Sequence, residues 1–139
     1  MSGPVVEVGA ALPPLTLHVT RETLVRYAGA SGDFNPIHFS DHAATDLGLP
    51  GVIAHGMLTM GLAVRAVTDW AGPGARLVSY GVRFTRPVPV PDDGVGAELL
   101  VAATVTAVDA ETVTVTLDAT CDGEKVLGAA RVVLAGGPA

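Results

Sequence analysis

The chain is short of charge, and above all of positive charge. Of its 139 residues only 16% are charged, and eight lysines and arginines stand against fourteen acids, for a net charge of −6. No basic run occurs anywhere, which argues against a nucleic-acid partner. There is one cysteine, Cys121, so no internal disulfide can form and a reducing cytoplasm fits. The longest apolar stretch, Gly51 to Val64, contains His55 and stops at Arg65. That is too short for a membrane span and suits a buried helix. The N-terminus has no basic segment followed by an apolar one, so no signal peptide is expected.

What the chain does have is apolar content, 49% of residues. That is too much for disorder and enough for one domain with a proper core, taken as residues 1–139 with 1–14 and 136–139 irregular. So few charges cannot cover the whole surface. Part of it is expected to be buried against another chain.

Periodicity divides the chain into a helical first half and a stranded second half. Leu15–Val19 alternates as a short strand. Thr20 reads as an N-cap for a helix over about 21–30, with Leu24, Val25, Tyr27 and Ala28 apolar. Ser40 or Asp41 caps a short helix through Leu47, closed by Gly48. One helix is expected from about Gly56 to Ala71, apolar nearly all round and therefore enclosed, with Met57, Met60 and Trp70 in the core. Strands follow at 76–84, 98–108, 112–121 and 125–135. Residues 87–96 form a Pro/Asp/Gly-rich loop, 109–111 a tight turn, and Asp122-Gly123 a hairpin. Cys121 falls on the apolar phase of its strand. The sum is an α+β domain, a curved antiparallel sheet around a long helix, with sheet edges that a dimer would protect.

The segment from Tyr27 to His38, YAGASGDFNPIH, sets Asp33 and His38 five residues apart across a break made by Gly32 and Pro36. A titratable pair held this way suits proton transfer, which needs two groups in fixed mutual geometry. A helix-ending Asp beside a structural His is the plainer reading. Asn35 fits turn chemistry at least as well as a substrate contact. His38 and His42 are four apart, but a new helix begins between them, so their rings need not share a face and no metal site is expected.

Asp33-Phe-Asn-Pro-Ile-His38, Ala54-His-Gly-Met57 and Val82-Arg-Phe-Thr-Arg-Pro-Val88 together resemble the MaoC-like (R)-specific enoyl-thioester hydratases and dehydratases, which have the hot-dog fold. The likeness runs over about residues 20–95. Within that family it is nearest the catalytic beta subunits of actinobacterial (3R)-hydroxyacyl-acyl-carrier-protein dehydratases. Val88-Pro-Val-Pro-Asp-Asp-Gly94 replaces the Arg-Pro-Gly-Asp turn common elsewhere in the family.

The resemblance implies a hydro-lyase that interconverts (3R)-3-hydroxyacyl and trans-2-enoyl thioesters, on an acyl carrier protein or coenzyme A, without a cofactor. It implies that Asp33 and His38 share the acid and base roles around one water molecule, the carboxylate accepting from the imidazole and fixing its tautomer. The Gly56 backbone N–H, at the start of the buried helix, would stabilise the enolate oxygen, although a plain helix-start glycine is the alternative. His55 is better read as a supporting residue satisfied by backbone than as a catalyst. Arg83 and Arg86 could meet a carrier phosphate or be solvated. The expected assembly is a homodimer, or a heterodimer with a related chain. A hot-dog thioesterase and a non-catalytic acyl-binding subunit are the alternatives.

Overall fold

The computed structural model describes residues 6–135. Its elements in order are β1 (Leu15–Val19), α1 (Arg21–Ser31), a 3-10 turn (Pro36–His38), α2 (Asp41–Asp46), α3 (Gly56–Ala63), α4 (Arg65–Ala71), β2 (Arg76–Phe84), β3 (Ala97–Val108), β4 (Thr112–Cys121) and β5 (Glu124–Ala135). The strands form one antiparallel sheet in the order β1-β3-β4-β5-β2. Residues 6–14 hold no strand, only a single bridge from Ala11 to Thr104. The rest of the expected irregular termini, 1–5 and 136–139, lies outside the described residues.

Alternation decides which sheet face is covered. In β3, Ala97, Leu99, Val101, Ala103 and Val105 are buried, and in β4 Val113, Val115, Leu117, Ala119 and Cys121. These join Leu58, Ala63, Ala66, Val67 and Ala71 of α3 and α4, and Leu24 of α1, in one cluster. Each fully buried valine or leucine among them contributes about 1.5–3 kcal/mol, and the alanines less. The opposite face carries Thr104, Thr106, Thr116 and Asp118 and is exposed.

Caps and turns follow local chemistry. Thr20 accepts from the Thr23 N–H, and Ser40 from the Ala43 N–H. Asp109 Oδ1 accepts from the N–H groups of Glu111 and Thr112. Asp122 and Gly123 both take positive φ, 52° and 76°, the pattern of a two-residue hairpin turn whose twist matches the strands.

Three expectations are corrected. The helix over 56–71 is interrupted at Val64. Tyr80 Oη donates to the Met60 carbonyl at 2.7 Å, and the Val64 N–H that shares this carbonyl is drawn out to 3.4 Å. A side chain inserted into the ladder is a known cause of such breaks. Met57 is 61% exposed rather than core, because α3 packs against the sheet on one side only and leaves Met57 and Gly61 uncovered; Met60 and Trp70 are half-buried. Val25 faces outward, since Leu24 and Ala28 take the buried side of α1.

The expected loop 87–96 contains a structural surprise. Val88 and Val90 are buried, and they pair with the segment Val52–Ala54: the Ala54 N–H donates to the Val88 carbonyl at 2.9 Å, and Val90 to Val52 at 3.0 Å. Arg21 pins this pairing. Its Nε donates to the Val90 carbonyl at 2.6 Å and its Nη2 to Asp41, which in turn accepts from the Val52 N–H at 2.9 Å. The Val52 N–H, followed by Arg21, holds the Asp41 carboxyl below its ordinary range.

The loop leaves this pairing through Gly96, whose φ is +73°. A Cβ there would strike the Val19 carbonyl and come within 2.8 Å of the Thr20 Cα. Gly96→Ala is expected to destabilise the protein by about 3 kcal/mol or more, from αL strain and backbone collision together. An unchanged urea midpoint would contradict this packing of β3 against the end of β1.

Candidate active site

The loop after α1 is built by short-range hydrogen bonds. Gly32 takes φ 74° and closes the helix onto the Ala28 carbonyl. Asp33 Oδ1 accepts from the Asn35 N–H, and Asn35 Oδ1 from the Ile37 N–H, each at 3.2 Å. Asn35 is thus the cap of the 3-10 turn, and Pro36 its first residue. This turn delivers His38, buried, to the segment Val52–Ala54.

His38 Nδ1 lies 2.7 Å from the Ile53 carbonyl. A carbonyl only accepts, so Nδ1 carries a hydrogen, and in the neutral ring Nε2 keeps the lone pair. The expected tautomer lock by Asp33 is therefore corrected: a backbone carbonyl does it. Asp33 is exposed, and among the described residues its carboxylate accepts a hydrogen bond from the Asn35 N–H and none from His38.

His55 caps α3 without a side-chain bond to the helix. Instead its Nε2 donates to the Asp33 carbonyl at 3.2 Å, its ring stacks on His38 with centroids 3.8 Å apart and 24° between planes, and Tyr27 meets it edge-on at 4.7 Å. Burial is the main cause that pushes its pKa down; the Asp33 carbonyl opposes this, and His38 adds to it. The lone pair on its Nδ1 is buried and unpaired among the described residues.

Asp33, His38 and His55 each place a polar side-chain atom within 4.8 Å of the other two. Such a span is one that a single water can bridge. It does not suit a metal ion. Both imidazoles have one nitrogen committed to a carbonyl, and their rings are stacked, so the remaining lone pairs lie in nearly parallel planes. These cannot meet at one ion about 2 Å from each nitrogen. His42 is not part of the group; it is exposed on α2 and faces Asp46 at 3.4 Å.

A cleft of about 400 Å³ opens beside these residues. His38, Gly56, Thr59, Phe84, Arg86 and Val126 are among its walls, while Asp33, His55 and Arg83 are not. Gly56 begins α3, where the first N–H groups have no carbonyl within the helix. The Phe84 ring covers its α-carbon so closely that a Cβ at Gly56 would lie 3.0 Å from it. Arg86 reaches Glu124 at 3.4 Å, and Arg83 is exposed on β2. Phe84 and Thr59 were not singled out as wall residues in the sequence. Phe84 had appeared there only within the segment Val82–Val88 and at the end of its strand; a signal for Thr59 is its place as a polar residue in an otherwise apolar helix.

Residues 7–122 match the MaoC like domain. The chain belongs to this family. The MaoC-like chain is 46% identical over 79 residues to the 3-hydroxyacyl-thioester dehydratase X of Mycobacterium tuberculosis, which is 57% of this chain and 27% of that one. It is 33% identical over 105 residues to the (R)-specific enoyl-CoA hydratase of Rhodospirillum rubrum, 74% of this chain and 69% of that one. The first relative is thus matched over about a quarter of its length. Among solved structures, the ChsH1-ChsH2 complex of Mycobacterium tuberculosis superposes with a TM-score of 0.83 at 30% identity, covering 94% of this chain and 98% of that one. The architecture is the hot-dog fold, as the sequence led us to expect.

The state of His55 makes stability depend on pH. In the unfolded chain this histidine takes up a proton near 6.5, whereas in the fold it resists doing so. The unfolded state then binds more protons as pH falls below that value, so its stabilising share is complete above it and lost beneath it. Going from pH 8 to pH 5.5, wild type should lose more of its denaturation midpoint than His55→Gln does. Parallel losses in the two proteins would rule the buried neutral ring out.

Proposed function

We propose that this chain is a hydro-lyase that interconverts (3R)-3-hydroxyacyl and trans-2-enoyl thioesters by syn addition and removal of water, in type II fatty-acid synthesis in the cytoplasm. The observation that carries the proposal is the convergence of Asp33 and His38 to the span of one water, with His38 and Gly56 walling the same cleft. Relatives named as dehydratases and hydratases of such thioesters support it.

The chemistry follows from the tautomers. With Nδ1–H held by Ile53, His38 offers Nε2 to one hydrogen of the water, and Asp33 accepts a hydrogen bond from the other. The water oxygen bonds to C3 of the enoyl thioester as its proton passes to His38. The electron pair of the double bond moves through C2 onto the thioester oxygen, where the Gly56 N–H faces the charge. His38 then returns the proton to C2 on the same side. Dehydration is the same sequence reversed, with no redox step and no cofactor.

The carrier, acyl carrier protein or coenzyme A, brings phosphate to the cleft mouth, where Arg86 stands and Arg83 lies on the adjoining strand. We also infer that a second hot-dog chain covers β2. This strand is an open sheet edge, and Leu77, Val78 and Phe84 on it are exposed. Such an edge invites pairing. One solved neighbour of this fold is itself a complex of two named components.

Asp33→Asn and His38→Ala should each lower hydration of crotonyl-CoA at least about 100-fold, the scale of a lost acid–base group. Wild-type rates in both variants would refute the assignment, and release of free thiol from acyl-CoA by the native protein would move it to the thioesterases. Arg86→Ala is expected to raise the KM for crotonyl-CoA with kcat retained, because it removes binding shared by ground and transition states; a fall in kcat at constant KM would speak against the phosphate role.

A further inference from the structure

One buried group is not used by the chemistry above. His55 is 2% exposed, yet its Nδ1 has no hydrogen-bond partner among the described residues. Leaving a buried acceptor unsatisfied is costly, and a phenyl ring would fill the same space without that cost. Packing alone therefore does not account for an imidazole here.

Two of its contacts do. The Nε2–H grips the backbone carbonyl of Asp33 at 3.2 Å, and the ring lies flat against His38 at 3.8 Å. His55 is also the residue immediately before Gly56 and caps the helix that Gly56 starts. We propose that His55 is a positioning residue for water addition: one ring ties the Asp33 backbone and the face of His38 to the amide end of α3, so that all three catalytic groups share a single rigid mount. The inference rests on reading Asp33 and His38 as the catalytic pair.

The charge state of this ring matters as much as its place. The groups that face it are Tyr27 from α1, Asp33 from the loop and His38 from the 3-10 turn. When His38 takes the proton of the attacking water, a charged neighbour 3.8 Å away would raise the energy of the imidazolium and oppose the step. A neutral neighbour does not. The Nε2–H tautomer supplies the donor that Asp33 needs while leaving His55 uncharged, and among the described residues no acceptor is hydrogen-bonded to Nδ1 to favour a second proton.

Two His55 variants and one spectrum test this. His55→Phe keeps the stacked ring and loses the donor. His55→Gln puts an amide N–H near the position of Nε2 and cannot titrate. With crotonyl-CoA as probe, His55→Phe should lower kcat about 100-fold while KM stays within about threefold, the scale of a misplaced catalytic group. His55→Gln should recover most of that loss. Nitrogen-15 spectra of the histidine-labelled wild type should show a protonated Nε2 and a bare Nδ1 on His55 from pH 8 to 5.5. The proposal is overturned if Phe and Gln lose activity equally and in step with their melting temperatures, since that marks a structural role. Protonation of Nδ1 in the folded protein overturns it as well. Wild-type kcat in His55→Phe, while Asp33→Asn is inactive, overturns this proposal and leaves the catalytic pair standing. Full activity in Asp33→Asn and His38→Ala removes the pair itself, and this inference with it.

Discussion

Three residues, Val52–Ala54, carry the geometry of the site. The Val52 N–H donates to Asp41 and its carbonyl accepts from Val90; the Ile53 N–H donates to the Ile37 carbonyl; the Ile53 carbonyl holds His38; the Ala54 N–H donates to Val88. Every polar group but the last carbonyl is thus spoken for by a different part of the chain. A segment bound on both sides has one conformation open to it. Its next two residues, His55 and Gly56, inherit their positions from that constraint. The hydrogen bonds are individually worth about 1 kcal/mol, so the value of the arrangement lies in precision rather than in bulk stability.

From this frame the electrostatics follow. Two imidazoles stack, and each is locked into the opposite tautomer by a backbone carbonyl, Ile53 for one and Asp33 for the other. Carbonyls are weaker partners than carboxylates, and they bring no charge. A carboxylate clamped to His38 would favour its protonated form and blunt it as an acceptor. Here the one nearby carboxylate, on Asp33, is turned to the Asn35 N–H and to solvent instead. The site sets an imidazole and a carboxylate side by side without a direct hydrogen bond between them.

Much of the fold was legible because it rests on local pattern. β1, β2 and β4 fall on the residues their alternation marks, and β3 and β5 each gain one residue at the start. The caps at Thr20 and Ser40 and the turn at Asp122-Gly123 need only the chemistry of a few neighbours. The motif from Asp33 to His38 was legible for the same reason. What could not be read is non-local. Val88 and Val90 lie in a stretch of prolines and acids, and nothing in their spacing shows that they pair with residues some thirty-five positions earlier. The Ile53 carbonyl is a backbone atom and leaves no mark in the sequence. Met57 and Val25 misled because an apolar residue on a helix is a statement about preference, whereas its exposure depends on what the fold happens to place opposite.

The exposed apolar residues bring the low charge content back into the argument. Met57 on α3, Leu77 and Val78 on β2 and Phe84 at its end are all uncovered in the single chain. Phe84 belongs at once to the open sheet edge and to the wall over Gly56. A chain that covers β2 would therefore also exclude water from the amide end of α3. Lower local dielectric would strengthen the pull of that N–H on the enolate oxygen proposed above, because the same dipole acts with less screening. On this reasoning the surface that pairs the chain and the surface that stabilises the developing charge are continuous. If Gly56 holds the enolate oxygen as proposed, the scarcity of charged residues would have a catalytic consequence besides a structural one.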